Sequence, residues 1–519
     1  MNRPPFALLV LLAVAPLATA DDPLAKKLEA VMDAPEFKRS HWGVLFVDAK
    51  TGETIYERSA DKLFTLASVS KVFSAGAALC EFGADFKFET PVYARGPVQK
   101  GVLRGDLILR AQGDPSFGSR NTKDAGKLVF TDVDHSYANS GPAALADGTN
   151  PLAAFEALAE QVKAAGVTEV TGDVLVDDRL FARTRSAGSG PEVLSAVTVN
   201  DNIIDVVITP GAKAGEPAKV THRPQTATLN VDAEVGTSDA IAPAAVMLNQ
   251  LGPGQFTVRG SVPANGKVVV RGLPIDDPAG FARSVFIEAL RKAGVKVAAA
   301  VARPGNAPPP TAVEYAQMKP VAAFTSAPFG ELLKVTLKTS NNLYGTALPC
   351  LMAASHGKQT QEDGLKVQRK HLKELGVDVD GVSLTSGSGG NGTDLATPRA
   401  TVQLLAGLRK RDDWPAFRGW LPSLGVDGTL SKAVDKESAA VGKVSAKTGT
   451  YVWFDTLNGR PLLKSKSLAG AMTTQSGREV LFAVFVTDVP LEAMGSADKV
   501  GRVLARLCEV VHADGPPAK

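Results

Sequence analysis

The chain predicts an α+β fold in which one antiparallel sheet flanked by helices is assembled from two distant pieces of sequence, with a large β-rich insertion between them. Three stretches carry this reading. Residues 21–92 give a helix, a hairpin and a second, mostly apolar helix opening at Ser68. From about residue 319 the pattern resumes, with helix-like 329–338, a helical region containing Trp414, strands at 468–474 and 479–487, and a final helix near 492–511. The segment 93–318 differs in texture: short β-rich runs at 102–110, 170–176, 205–209 and 256–270, Gly and Pro at the turns, and two helices near 152–165 and 278–293. It reads as one or two inserted subdomains, joined back through the Pro-rich segment 303–310. A chain of 519 residues has room for two or three domains, and it carries no repeat of solenoid period.

Three short motifs lie on either side of this insertion: Ser68-Val69-Ser70-Lys71, then Ser340-Asn341-Asn342, then Lys447-Thr448-Gly449. Each fixes few residue types and each has decoys, so context selects among the copies. S-x-x-K also occurs at Ser59 to Lys62 and Ser496 to Lys499, in polar segments that read as an exposed turn or a helix start. S-x-N recurs at Ser119 to Asn121, and K-T-G at Lys50 to Gly52, the charged turn of a hairpin. Ser68 instead opens a buried helix, where residues three apart are neighbours and the Lys71 amine reaches the Ser68 hydroxyl. Lys447-Thr448-Gly449 lies in a strand.

The order S-x-x-K, S-x-N, K-T-G describes serine acyl transfer without histidine. A serine hydroxyl needs a base within hydrogen-bonding distance. None of the six histidines has motif context, and there is no G-x-S-x-G elbow. A lysine serves as base once burial and a second cation disfavour its ammonium form, which Lys71 near Lys447 would satisfy. Ser340 would then relay a proton to the leaving amine, and Asn342 would hold Lys71 and the substrate amide. The backbone N–H groups of Ser68 and Thr450 are the candidate oxyanion donors. Lys447, Thr448 and Thr450, with Gly449 between them, offer a cation and hydroxyls to a substrate carboxylate. Read singly, Lys71 is a snorkelling lysine, Asn342 a helix-start residue and Lys447 a strand charge; the ordered set makes them a site.

With these motifs the chain resembles the D-alanyl-D-alanine carboxypeptidase/endopeptidases of the low-molecular-mass class C penicillin-binding proteins, peptidase family S13. The likeness extends to Gly43-Val-Leu-Phe-Val-Asp-Ala-Lys-Thr-Gly52, Leu63-Phe-Thr-Leu-Ala-Ser68, Gly113-Asp-Pro-Ser116, Gly172-Asp-Val-Leu-Val-Asp177, Leu421-Pro-Ser-Leu-Gly-Val-Asp-Gly428 and the long interval between Ser68 and Ser340. The resemblance implies a β-lactamase/transpeptidase-like domain and a Ser68 acyl-enzyme that cuts terminal D-Ala-D-Ala bonds or D-Ala cross-links. It also implies peptidoglycan stem peptides and β-lactams as partners, and neither cofactor nor metal. Three positions depart from the pattern. Ser386-Gly387-Ser388-Gly389 stands where the family has Asp-Gly-Ser-Gly, the nearest match to the insertion's acidic residue is Asn200-Asp201-Asn202, out of step by one, and 458–466 reads as a lengthened loop at the mouth of the site. A β-lactamase or an esterase of the same fold, and a catalytically weak wall-binding protein, are the alternative readings; no E-x-x-L-N-like segment follows Ser340 to supply a deacylating glutamate.

Residues 1–20 read as a signal peptide: Arg3, an apolar run at 6–17, and Ala18-Thr19-Ala20 before Asp21. An exported protein of the periplasm or the exterior is expected, with no transmembrane segment in the mature chain, since no other apolar stretch approaches the roughly 20 residues a span requires. Cys80, Cys350 and Cys508 lack metal-ligand spacing and read as buried thiols, though an exported chain permits one disulfide. A net charge of +3 without a basic, aromatic-interleaved stripe argues against nucleic acid as a partner.

Overall fold

A computed structural model describes residues 22–122, 126–302 and 307–515. The expected signal peptide, and residues 303–306 of the expected linker, lie outside the described residues.

The central sheet runs in the order Thr54–Arg58, His41–Asp48, Glu479–Thr487, Arg460–Thr473, Val444–Asp455, with every neighbouring pair antiparallel. Period-two alternation divides its side chains between two apolar layers. Val44, Phe46, Leu468, Met472, Phe482 and Val484 pack under the terminal helices Pro23–Met32 and Ser496–Asp514. Leu45, Val47, Ala469, Ala471, Ala483 and Phe485 face helices Ser70–Phe82, Phe329–Lys338, Asn342–Ser355 and Pro398–Arg409. Both faces are therefore covered by helices, and the sheet's last strand, Val444–Asp455, is an edge.

The insertion departs and returns side by side. Strand Glu89–Arg95, just beyond the Ser68 helix, pairs with Pro320–Thr325, and Asp106–Arg110 and Val174–Asp177 extend the same sheet. The expected run at 102–110 is two strands, Val102–Leu103 and Asp106–Arg110, and 256–270 divides into Gln255–Pro263 and Val269–Pro274. Two further strands, Asn230–Ser238 and Ala245–Gly252, complete a three-stranded sheet with Gln255–Pro263. The helices at Ala153–Ala164 and Pro278–Lys292 fall where predicted.

The insertion is tied to the helical layer by a buried ion network. Arg120 donates to both oxygens of Asp134 at 2.8 and 2.9 Å, to Asp201 at 3.0 Å and to the Tyr344 hydroxyl at 3.0 Å. His135 bridges Asp205 at 2.7 Å and Asp201 at 3.0 Å. Burial works against a charged imidazole, but these two carboxylates overcome it and raise the His135 pKa to about 10. Asp134, His135 and Asp201 lie close enough together to ligate an ion, yet the guanidinium of Arg120 already occupies both carboxylates. Removing that guanidinium strands buried carboxylates. Arg120→Met is expected to lower unfolding free energy by about 3–5 kcal/mol, measured by urea denaturation.

Candidate active site

The hairpin 41–58 leads to a 3-10 turn, Ala67–Val69, on which Ser68 sits immediately before helix Ser70–Phe82. Small and apolar residues bury this helix from Ser70 to Leu79, and Lys71 is drawn in with them, at 0% exposure. Its Nζ lies 2.9 Å from Ser68 Oγ, 2.7 Å from Asn342 Oδ1 and 2.7 Å from the Ser388 carbonyl. Asn342 Oδ1 and the Ser388 oxygen can only accept. A neutral amine has two N–H donors for them and one lone pair, which then points at the Ser68 hydroxyl. Burial, and next the Lys447 cation, hold the Lys71 ammonium well below the usual lysine range, with Asp394 acting the other way. The arrangement can take a proton from Ser68.

Ser340 and Asn342 are presented at the start of helix Asn342–Ser355, whose N-cap Asn341 accepts from the Tyr344 N–H. Ser340 has φ 63°, and Ala67, just before Ser68, has φ 46°, a region non-glycine residues rarely occupy. Such strain, of order 1–3 kcal/mol each, persists only where neighbours over-determine it. For Ser340 the Tyr137 hydroxyl, from the insertion, donates to its carbonyl. Beside Ala67, Gly389 leaves room that a Cβ would close to 1.9 Å from the Ala67 oxygen. The insertion also reaches Asn342, whose Nδ2 donates to the Ser189 carbonyl at 2.9 Å.

Lys447 is wholly buried on the edge strand, donating to Ser340 Oγ at 2.8 Å and to the Thr448 carbonyl at 2.7 Å. Burial, followed by the nearby Lys466 cation, pushes its pKa down to about 7. Ser68, Lys71 and Asn342 thus form one set of contacts and Lys447 and Ser340 a second, the two joined through the 340–342 segment and by the influence of the Lys447 cation on Lys71. Thr448, Gly449 and Thr450 continue the strand beside it; Thr448 Oγ1 meets Thr429 Oγ1 at 2.7 Å. At Gly449 a Cβ would stand 2.2 Å from Ser467 Oγ, 2.5 Å from the Leu66 carbonyl and 3.0 Å from Ser68 N. The strand and the Ser68 turn therefore meet where only glycine fits. Gly449→Ala is expected to part them and slow acylation by a β-lactam about 100-fold, followed as adduct formation against time.

Several sequence expectations change in detail. The segment expected as a loop at 458–466 is instead a β-ribbon, strands Val444–Asp455 and Arg460–Thr473 remaining paired out to Asp455 and Arg460. Asp201, the candidate acid of the insertion, is fully buried against Arg120, His135 and Tyr344, so it does not face the cleft. The carboxylate absent at Ser386 is present nearby as buried Asp394, which accepts from the Ser386 hydroxyl at 3.0 Å and from Thr385 N at 2.7 Å. The three cysteines are free; Cys350 and Cys508 are buried and Cys80 half-buried. Among the described residues, no helix is long and apolar enough to cross a membrane. Lys466 and Asp394, which shape the charges of Lys447 and Lys71, were not singled out from sequence.

Comparison with known proteins places the chain among related sequences. The chain is 29% identical over 459 residues to the D-alanyl-D-alanine carboxypeptidase of Actinomadura sp. (strain R39), covering 84% of this chain and 78% of that protein. It is 23% identical over 464 residues to the D-alanyl-D-alanine carboxypeptidase DacB of Haemophilus influenzae, covering 86% and 85%. The crystal structure of penicillin binding protein 4 (dacB) from Haemophilus influenzae has the same fold, with a TM-score of 0.68 at 20% identity over 94% of this chain and 99% of that one. The model of the D-Ala-D-Ala carboxypeptidase 3 (S13) family matches residues 24–504. With nearly all of the described chain inside that match, the protein belongs to the D-Ala-D-Ala carboxypeptidase 3 (S13) family.

Proposed function

We propose that this serine DD-peptidase cleaves the D-Ala-D-Ala terminus or the D-Ala cross-links of peptidoglycan peptides through an acyl-enzyme on Ser68. The observation that carries the assignment is the placement of the buried Lys71 amine, held by Asn342 Oδ1 and the Ser388 carbonyl 2.9 Å from Ser68 Oγ, where burial and the Lys447 cation disfavour its ammonium form. Ser68 Oγ attacks the D-Ala carbonyl carbon while its proton passes to Lys71. The oxyanion is received between the N–H groups of Ser68 and Thr450. Ser340 gives its hydroxyl proton to the departing amine and is resupplied through Lys447, 2.8 Å away, whose loss is made good by the proton Lys71 took from Ser68, so Lys71 is a free base again. Water then attacks the ester carbonyl, and Lys71 takes its proton and passes it to Ser68 Oγ, 2.9 Å away, as the acyl–oxygen bond breaks. Thr448 and Thr450, on the strand edge, receive the substrate carboxylate, and Asn342 fixes Lys71.

The same reading assigns residues 21–92 and 319–519 to the catalytic domain and 93–318 to the insertion, supported by the pairing of Glu89–Arg95 with Pro320–Thr325 at their junction. It places the mature protein in the periplasm or outside the cell, where peptidoglycan lies. Binding of β-lactams at Ser68 accords with the Haemophilus influenzae penicillin binding protein 4, which has been crystallised in complex with a β-lactam.

Release of free D-Ala from a peptide ending in D-Ala-D-Ala, by wild type and not by Ser68→Ala, tests the assignment; a cross-linked peptide dimer measures endopeptidase activity separately. A benzylpenicillin adduct is expected to hydrolyse at least about 100-fold more slowly than it forms, because among the described residues no carboxylate hydrogen-bonds to Ser68 or Lys71 to serve as a dedicated base. Rapid penicillin turnover would favour the β-lactamase reading.

A further inference from the structure

Lys466 is a third lysine buried beside the site, and the mechanism above leaves it unused. It lies on strand Arg460–Thr473 directly opposite Thr450, is 8% exposed, and its Nζ donates to Thr450 Oγ1 at 2.8 Å. The alternation of the sheet explains how it comes to lie there. Lys466 shares a face with Leu468 and Met472, beneath helix Ser496–Asp514, so an apolar residue is the ordinary occupant. The helix makes space for the lysine at Gly501, where a Cβ would come within 2.9 Å of Lys466 Cε and 3.3 Å of Nζ. Burying an ammonium beneath a helix is costly without an anion to meet it, and its partner here, Thr450 Oγ1, is a neutral hydroxyl. Thr450 itself is exposed at the sheet's edge.

A threonine hydroxyl that accepts from an ammonium keeps its own proton free to donate elsewhere. We propose that Lys466 is a positioning residue that tunes the enzyme for substrates with a free C-terminal carboxylate, by directing the Thr450 hydroxyl proton at that carboxylate and placing a cation behind it. This rests on the assignment of Thr450 to the carboxylate end of the site. Burial pushes the Lys466 pKa down to about 8, against the pull of Asp498, so an arriving anion would favour the charged form. The same cation bears on Lys447. Substrate charge, Thr450 and the two lysines then act together at the edge strand.

The test compares two peptides that differ only at the C-terminus, one ending in D-Ala-D-Ala carboxylate and the other in its carboxamide. In Lys466→Met the KM for the acid peptide is expected to rise about tenfold while that for the carboxamide peptide stays as in wild type, any change in kcat through Lys447 being shared by both peptides. Gly501→Ala, which keeps the lysine but displaces its amine from Thr450, is expected to give the same split, so the question remains answerable if Lys466→Met does not fold. Equal losses on both peptides, or a fall in kcat at constant KM, would overturn the proposal. The site assignment is checked separately, by whether Ser68→Ala loses hydrolysis of the acid peptide.

Discussion

Incubated with benzylpenicillin, the mature wild-type protein is expected to gain one stoichiometric adduct on the peptide containing Ser68, and Ser68→Ala to gain none, with hydrolysis of a D-Ala-D-Ala peptide falling by about 10^4-fold or more. The size of the effect follows from the chemistry. Without the Oγ there is no bond to form, and the lone pair of Lys71 faces only a methyl group. The fold should tolerate the change, since Ser68 is half-exposed on its turn and its side chain's contact is the Lys71 amine. Intact and peptide-level mass spectrometry reads both arms in one experiment. An adduct that persists in Ser68→Ala would move the nucleophile elsewhere, and a folded wild type that gains none would bring forward the wall-binding reading.

The second large effect is expected at Lys71. Lys71→Met keeps the length of the side chain and removes the base, so acylation by the same penicillin should slow by about 10^2- to 10^4-fold while Ser68 remains in place. The adduct then still forms, on a far longer timescale, which separates loss of the base from loss of the nucleophile. Asn342 Oδ1 and the Ser388 carbonyl each lose a donor in this variant, and the desolvation cost of the buried amine disappears with it. The two changes oppose each other in stability, and thermal denaturation should place the variant near wild type. The wild-type rate should also fall on acidification, because protonation of Lys71 consumes the lone pair that faces Ser68. An acylation rate unchanged in Lys71→Met would require a different base.

What the sequence revealed and what it hid divide along physical lines. Ser68 and Lys71 were legible because one helical turn fixes their spacing, and Ser340, Asn342 and Lys447 because each sits in a short local motif. The buried helix 70–82 and the two strands at 468–487 announced themselves by their apolar character. Lys466 was hidden for the opposite reason. Its role depends on being opposite Thr450 across a hairpin, and in Lys464-Ser465-Lys466-Ser467 nothing distinguishes a buried cation from a solvated strand charge. Strand Asn230–Ser238 was passed over although Val231, Ala233 and Val235 alternate with Asp232, Glu234 and Gly236, because its apolar positions are few and small and only Val235 and Thr237 are buried. Asp394 replaces the acid expected at Ser386 from eight residues further along, a substitution that only the folded loop brings together. Asp201 shows the reverse case: the residue type fitted the expectation, while its neighbours Arg120 and His135 committed it to the interior.

The strand order carries a consequence for how the enzyme comes into being. His41–Asp48, among the first elements of the chain, has Glu479–Thr487 as its inner neighbour, and Lys447 reaches Ser340 from a strand that is itself attached through Arg460–Thr473. Pairings this remote in sequence close late in folding. A growing or truncated chain that stops short of residue 444 already contains Ser68 and Lys71, but it lacks three strands of the central sheet, the edge along which Thr448 to Thr450 lie, and the cation that holds Ser340. Acyl transfer is therefore expected to arrive with the last strands, and a chain ending before residue 444 to gain no penicillin adduct.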